Sequence, residues 1–261
     1  MTRTTLLRRA ILLGLYGAAG ATGLSSTLAT AQTTPVAEKK DTAVVEAVTI
    51  VGTRRVNASS TDTVVPVDFI PMSKSAEQGG QFDLAQSLQY ISPSFNSTRQ
   101  TGADGADLVD SAALRGLGSD QTLVLVNGKR KHTTALVNLF GARNRGNTGT
   151  DLNTIPMLAI DSVQVLRDGA AAQYGSDAIA GVIYITLKKR AGCEAVLGYG
   201  QYSAGDGKNY LASAYCGFAT GNGGTTGITA EFLDRGRSNR AEPGNPRIIG
   251  DTKTQNATLY V

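Results

Sequence analysis

The stretch Leu114-Arg115-Gly116-Leu117-Gly118-Ser119-Asp120-Gln121-Thr122-Leu123-Val124-Leu125-Val126-Asn127-Gly128-Lys129-Arg130 decides the fold of this chain. Leu123 to Val126 is a short aliphatic run bounded by polar residues, which predicts a strand. Asn127-Gly128 follows at once. Both residue types accept φ > 0 at little cost, so the pair predicts a type I′ hairpin turn. Gly116-Leu117-Gly118 is not a dinucleotide fingerprint, because the third glycine and the preceding strand are missing. Gly116, Gly118, Gly128, Gly169, Gly175 and Gly181 read as turn or close-approach positions.

Working outward, small elements of both kinds fill residues 64–189. Val64 to Ile70 reads as a strand despite Pro66. Asp83 is placed to cap a helix over Leu84 to Tyr90, with Leu84, Leu88 and Ile91 at helical spacing, and Pro93 ends it. Arg99 to Asp107 and Asn144 to Thr150 are polar, Gly-containing loops. Pro156 to Ile160 suits a helical turn. Val163 to Leu166 is a strand, Arg167-Asp168-Gly169 a turn, Ala170 to Tyr174 a short helix and Val182 to Thr186 a last strand. Short strands and helices in one unit predict an α+β domain with a small mixed sheet.

After Arg190 the pattern changes to strict alternation. Cys193, Ala195, Leu197 and Tyr199 share one face. After a turn at Ala204-Gly205, Tyr210, Ala212, Ala214, Cys216 and Phe218 share another. A hairpin about that turn sets Cys193 opposite Cys216 on the outward face. Two readings fit that pair: a disulfide, or two small apolar wall residues. Further strands are expected at Gly227 to Leu233 and Thr254 to Val261. Alternating segments of this length suit a transmembrane β-barrel wall. A soluble β-meander alternates in the same way, and position after an exported unit favours the barrel.

The amino-terminal end sets the compartment. Arg3, Arg8 and Arg9 precede an apolar run, Ala10 to Leu28, and Ala29-Thr30-Ala31 is a small-x-small cleavage site before Gln32, as in a secretory signal peptide. Those three arginines account for most of the formal charge of +4, so residues 32–261 are close to neutral. No basic stripe with interleaved aromatics occurs, which argues against a nucleic-acid partner. Two cysteines and one histidine, His132, exclude a zinc site of Cys/His type. No nucleophile motif surrounds any serine, so no enzyme activity, cofactor or metal is expected. Residues 32–63 are polar linkers around an isolated β-prone segment, Asp41-Thr42-Ala43-Val44-Val45-Glu46-Ala47, continuing into Val48 to Arg54.

Three stretches in this order resemble the TonB-dependent outer-membrane receptors. They are Asp41 to Ala47, similar to a TonB box; Leu114 to Arg130; and Ile160-Asp161-Ser162-Val163-Gln164-Val165-Leu166-Arg167-Asp168-Gly169 continuing through Tyr174-Gly175-Ser176-Asp177-Ala178-Ile179-Ala180-Gly181-Val182-Ile183. The resemblance implies a signal peptide (1–31), a TonB-box segment (32–63), a plug domain (64–189) and the first antiparallel strands of a transmembrane β-barrel (190–261). It implies TonB as partner, through Asp41, Thr42, Ala43, Val44, Val45, Glu46 and Ala47 added as a strand to the TonB sheet. It implies contacts from Arg115 and Arg167 to acidic residues of the barrel wall. Ligand-facing loops would present Arg99, Gln100, Asp104, Asn144, Arg145 and Asn147 to a small chelate such as a ferric siderophore. The alternative is a stand-alone periplasmic plug that binds TonB or ligand without transport. Four strands are far short of the twenty or so of a barrel of this class, so this chain by itself is expected not to transport.

Overall fold

The computed structural model describes residues 66–73, 82–96, 105–139, 144–221, 223–238 and 253–261, all within one compact unit. The signal segment, the candidate TonB box and Arg99, Gln100 and Asp104 lie outside the described residues.

Two sheets organise the described residues. The first contains β1 (Val67–Pro71), β2 (Thr122–Val126), β3 (Lys129–Arg130), β4 (Ile160–Leu166) and β5 (Gly181–Leu187), in the order β1-β4-β5-β2-β3. It is mixed: β2 runs parallel to β5, and the other pairs are antiparallel. β1 opens at Val67, one residue past Pro66, whose ring lacks the N–H a ladder needs. Asn127 and Gly128 sit at φ +48° and +82°, both left-handed, as the turn into β3 requires.

Both faces of this sheet are covered. On one side Val124, Val163, Val165, Ile183 and Ile185 pack against helix α1 (Leu84–Ile91) through Leu84 and Leu88. On the other, Leu123, Leu125, Leu166 and Val182 pack with Ala178 and Tyr174, beside helix α2 (Ala171–Tyr174). Burial on both faces explains why β2 and β5 read as continuous aliphatic runs rather than alternating ones. α1 starts where Asp83 Oδ1 accepts from the Gln86 N–H at 2.9 Å. It ends at Ile91, before Pro93 can supply no further donor.

The two diagnostic motifs interlock. Arg115 holds φ +54°, a region a non-glycine residue occupies only when its surroundings fix it. Its Nε and Nη2 donate to the carbonyls of Ala180 and Ile179 at 3.2 and 3.3 Å, while its N–H donates to Ser94 at 2.8 Å. Beside them Gly181 has φ +142°. A Cβ there would collide with the Leu166 carbonyl oxygen and lie 2.9 Å from Leu114 Cδ1.

The second sheet is an antiparallel meander of β6 (Gly192–Gly200), β7 (Asn209–Thr220), β8 (Gly224–Arg235) and β9 (Thr254–Tyr260). Its first hairpin pairs Cys193 with Cys216, Ala195 with Ala214, Leu197 with Ala212 and Tyr199 with Tyr210. β8 is longer than the Gly227 to Leu233 expected, because Thr225, Thr226 and Asp234 continue the ladder on both sides of the apolar run.

Which face meets the first domain decides between meander and membrane wall. Thr229, Ser213 and Arg235 are 1, 5 and 6% exposed on the inner face, while Leu197 and Leu259 are 85 and 71% exposed on the outer one. Ala195, Ala214, Ala230, Phe218, Phe232 and Tyr210 share that outer face. A soluble meander would bury the apolar set and wet the polar one. Tyr215 and Leu233 are also buried on the inner face, but the polar residues buried beside them and the exposed apolar outer face are those of a barrel wall, with lipid outside and a plug inside. At 12 residues each, β7 and β8 exceed the roughly 9–11 residues a tilted strand needs to cross a bilayer. Among the described residues no helix is long and apolar enough to cross a membrane.

The steric argument at Gly181 is directly testable. Gly181→Ala should lower stability by about 2–4 kcal/mol, through overpacking added to backbone strain. Gly105→Ala, at φ +87° with open space around it, should cost only about 1 kcal/mol. The chain has no tryptophan, so urea unfolding is followed by circular dichroism. Equal losses at the two positions would refute the close-approach account.

Candidate functional site

Residues 134–138 and 146–149 and the turn Ala106–Leu108 come together at one edge of the plug. Segments 134–138 and 146–149 pair as a short arm: Thr134 N–H donates to the Gly149 carbonyl at 2.8 Å, and Asn138 N–H to that of Asn147 at 3.0 Å. Asn144 (φ +53°) and Gly146 (φ +90°) supply the left-handed positions that reverse the chain. Asn144 and Arg145 are exposed and Asn147 is half-buried. Leu136 of the arm packs on Ala106, in the turn Ala106–Leu108 that follows the other loop. Sequence reading missed Thr134 to Asn138, since that segment shows no periodicity and takes its shape from the partner strand.

The roots of both loops are tied by carboxylates. Asp151 Oδ1 accepts from the N–H groups of Asn153 and Asp110 at 2.9 and 3.3 Å, and Asn153 Nδ2 donates to Asp110 Oδ2 at 2.7 Å. The Leu152 N–H donates to the Asp110 carbonyl at 3.1 Å. Burial pushes the Asp151 carboxyl above the usual carboxylate range. The backbone donors of Asn153 and Asp110 pull it back, and the Asp110 charge adds to the rise.

Arg115 and Arg167 are placed within the plug. Arg115 Nη1 lies 3.4 Å from Asp168 Oδ1, and Arg167 Nε lies 3.2 Å from Asp68 Oδ2. Arg130 pairs with Asp177 and donates to the Tyr174 carbonyl, binding the two motifs a second time. Among the described residues neither Arg115 nor Arg167 pairs with an acid of the second sheet. The seam between the sheets is built by other residues. Glu194 of β6 pairs with Lys188 and Arg190 at the exit from β5, and the Tyr215 hydroxyl donates to the Arg190 carbonyl at 3.0 Å. Farther along β6, Phe82 lies against Gly198, where a Cβ would stand 2.6 Å from Phe82 Cε1. Arg235 of β8 faces Asp83 and Asp110. Neither Glu194 nor Arg235 carries a local sequence signal for this role.

Cys193 and Cys216, partners in the β6–β7 register, are joined with an Sγ–Sγ distance of 2.09 Å and a Cα–Cα distance of 4.1 Å. No cluster of three metal-ligating side chains occurs among the described residues.

A two-faced mixed sheet with loop-bearing edges, seated on the polar face of an apolar-outside meander, defines a barrel plug. Residues 59–182 match the family described as the TonB-dependent receptor plug domain. The chain carries the plug domain of the TonB-dependent receptors. It is 43% identical over 76 residues to a probable TonB-dependent siderophore receptor, PirA, of Acinetobacter baumannii, covering 29% of this chain and 10% of that receptor. It is 30% identical over 142 residues to the vitamin B12 transporter BtuB of Vibrio cholerae, covering 54% of this chain and 21% of that transporter. A crystal structure of a ferric enterobactin receptor variant, PfeA of Pseudomonas aeruginosa, superposes with a TM-score of 0.51 at 23% identity, covering 68% of this chain and 26% of the other. The chain thus spans about a quarter or less of these proteins' own length.

Two measurements test this geometry. Asp151 has its carboxyl raised in the folded state. Its contribution to stability is therefore complete below the ordinary value of 3.8 and is lost as pH rises through the raised one. Asp151→Asn keeps the Oδ1 acceptor without the charge. It should be more stable than the parent at neutral pH, with the gap closing as pH falls below 3.8. A gap independent of pH would contradict the burial argument. For the cysteines, peptide mass spectrometry without reductant should recover the Cys193 and Cys216 peptides linked, and recovery of free thiols would contradict the pairing.

Proposed function

We propose that this chain is the plug and first barrel strands of an outer-membrane receptor that takes up a nutrient chelate, such as a ferric siderophore, using energy delivered by TonB. The observation that carries the reading is the sheet's two faces: an exposed, mostly apolar outer face and a largely polar inner face, the latter filled by a plug domain. That pairing has a use only where lipid surrounds the sheet and the interior must be closed. A stand-alone periplasmic plug is the weaker reading, because it leaves Leu197, Phe218, Phe232 and Leu259 facing water as one patch.

Within this proposal, export uses a signal peptide cleaved after Ala31. Asp41 to Ala47 is the TonB box, a β-prone segment on a polar tether that lends its main-chain hydrogen bonds to the partner's sheet. Arg99, Gln100, Asp104, Asn144, Arg145 and Asn147 face the ligand. Hydrogen-bonding side chains and cations suit the oxygen-rich, anionic surface of a metal chelate. Names among the relatives span enterobactin, other siderophores and vitamin B12, so the plug supports the class of cargo rather than one compound. Arg115 and Arg167 keep 38 and 41% of their side chains exposed, which supports further acidic partners on the barrel wall.

The box assignment predicts that Val44→Pro, which removes a strand N–H, weakens capture of the exported protein by the TonB carboxy-terminal domain by about tenfold or more. Lys40→Pro, on the tether, should leave capture unchanged. Equal capture of Val44→Pro and parent would refute the assignment.

A further inference from the structure

The side chain of Arg235, at the end of β8, is 7% exposed. Its Nη1 lies 3.8 Å from Asp83 Oδ2 and 3.9 Å from Asp110 Oδ2, and those side chains are 6 and 4% exposed. A guanidinium held this far from water needs opposite charge close by, since an uncompensated buried charge is strongly unfavourable. Both acids are already committed elsewhere in the plug. Asp83 uses Oδ1 to cap α1, and Asp110 accepts from Asn153 and is anchored through Asp151 and Leu152 at the loop roots. One barrel-wall cation therefore touches the start of the plug helix and the base of both polar loops.

We propose that Arg235 is the positioning residue that fastens the plug to the barrel wall, clamping the amino-terminus of α1 and the Asp110–Asp151 loop base to the end of β8. Polarity follows from the residues themselves: the cation stands on the wall and its two paired acids on the plug, with Glu231 of the same strand as a further carboxylate near Asp83. Asp110 Oδ2 meets both Asn153 and Arg235, while Asp83 divides its oxygens. One oxygen of Asp83 organises its own element and the other reaches the wall, so α1 is capped and anchored by the same side chain. Release of the plug from β8 must strip Arg235 of both acids, and it loosens the helix start and the loop base together. The three side chains then behave as one unit, and losing any one of them weakens the hold on both plug segments.

Hydrogen exchange on the full chain in its membrane tests this without any ligand. Arg235→Gln should raise amide exchange in 84–91 and in 109–112 together by about tenfold, while the β6–β7 ladder keeps its protection. Asp83→Ser keeps a capping oxygen but removes the charge, and should raise exchange in both segments without altering the barrel sequence. It therefore decides the matter even if Arg235→Gln fails to assemble. Arg235→Lys should restore part of the protection. Combining Asp83→Ser with Arg235→Gln should add little to either alone. Parent-like exchange in Asp83→Ser, a rise confined to 84–91, or fully additive effects in the double variant would overturn the proposal.

Discussion

The structure rests on the phase of one alternation. In β6 to β8, the plug-facing set carries the polar residues Glu194, Ser213, Thr229, Glu231 and Arg235 together with buried Tyr215 and Leu233, and the set that faces away is mostly apolar and exposed. Shifting any of these strands by one residue would exchange the two sets, since side chains alternate with a period of two. The pairing Ala195–Ala214–Ala230, with Leu197–Ala212–Phe232 beside it, keeps all three strands in one phase. That phase makes the inner face one that a folded domain can occupy. Gly198 leaves room for Phe82, Glu194 meets two cations at the plug exit, and Arg235 meets two acids. Glu194 and Arg235 are thus met by opposite charges, Glu231 is met by Ser213, and apolar surface is left for lipid.

On its inner side the plug is held by side-chain-to-backbone bonds rather than by long helices. Arg115 reaches the carbonyls of Ile179 and Ala180, and Arg130 that of Tyr174. These bonds join two motifs that lie far apart in sequence but share the parallel β2–β5 pairing. They explain why left-handed Arg115 and Gly116 are followed by a strand that needs Gly181 beside it. Among the described residues helix is sparse, and such specific ties hold the sheet that positions the loops.

Much of this was legible in the sequence where the cause is local. Asp83 and Pro93 bound α1, Asn127-Gly128 makes the hairpin, and a turn at Ala204-Gly205 sets the register that places Cys193 opposite Cys216. What escaped depends on partners distant in the chain. The arm of 134–138 has no periodicity of its own. The ends of β8 are polar and join the ladder only because β7 continues beside them. Arg115 and Arg167, which the resemblance sets against acids of the barrel wall, also have plug partners in Asp168 and Asp68 that no local pattern announces. The wall cation that does meet plug acids, Arg235, stands in Asp234-Arg235-Gly236-Arg237, where composition gives no reason to prefer one arginine over the other.

The claim that governs the rest is that the sheet's apolar face lies in lipid and its polar face against the plug. Spin labels on single cysteines, introduced into a chain whose native cysteines are replaced by alanine, measure this in the outer membrane. Labels at Leu197 and Phe232 should collide freely with oxygen, which concentrates in hydrocarbon, and little with a water-soluble nickel chelate. Labels at Ser213 and Thr229 should be shielded from both reagents and immobilised. Chelate access at Leu197 and Phe232, or oxygen access at Ser213 and Thr229, would contradict the account.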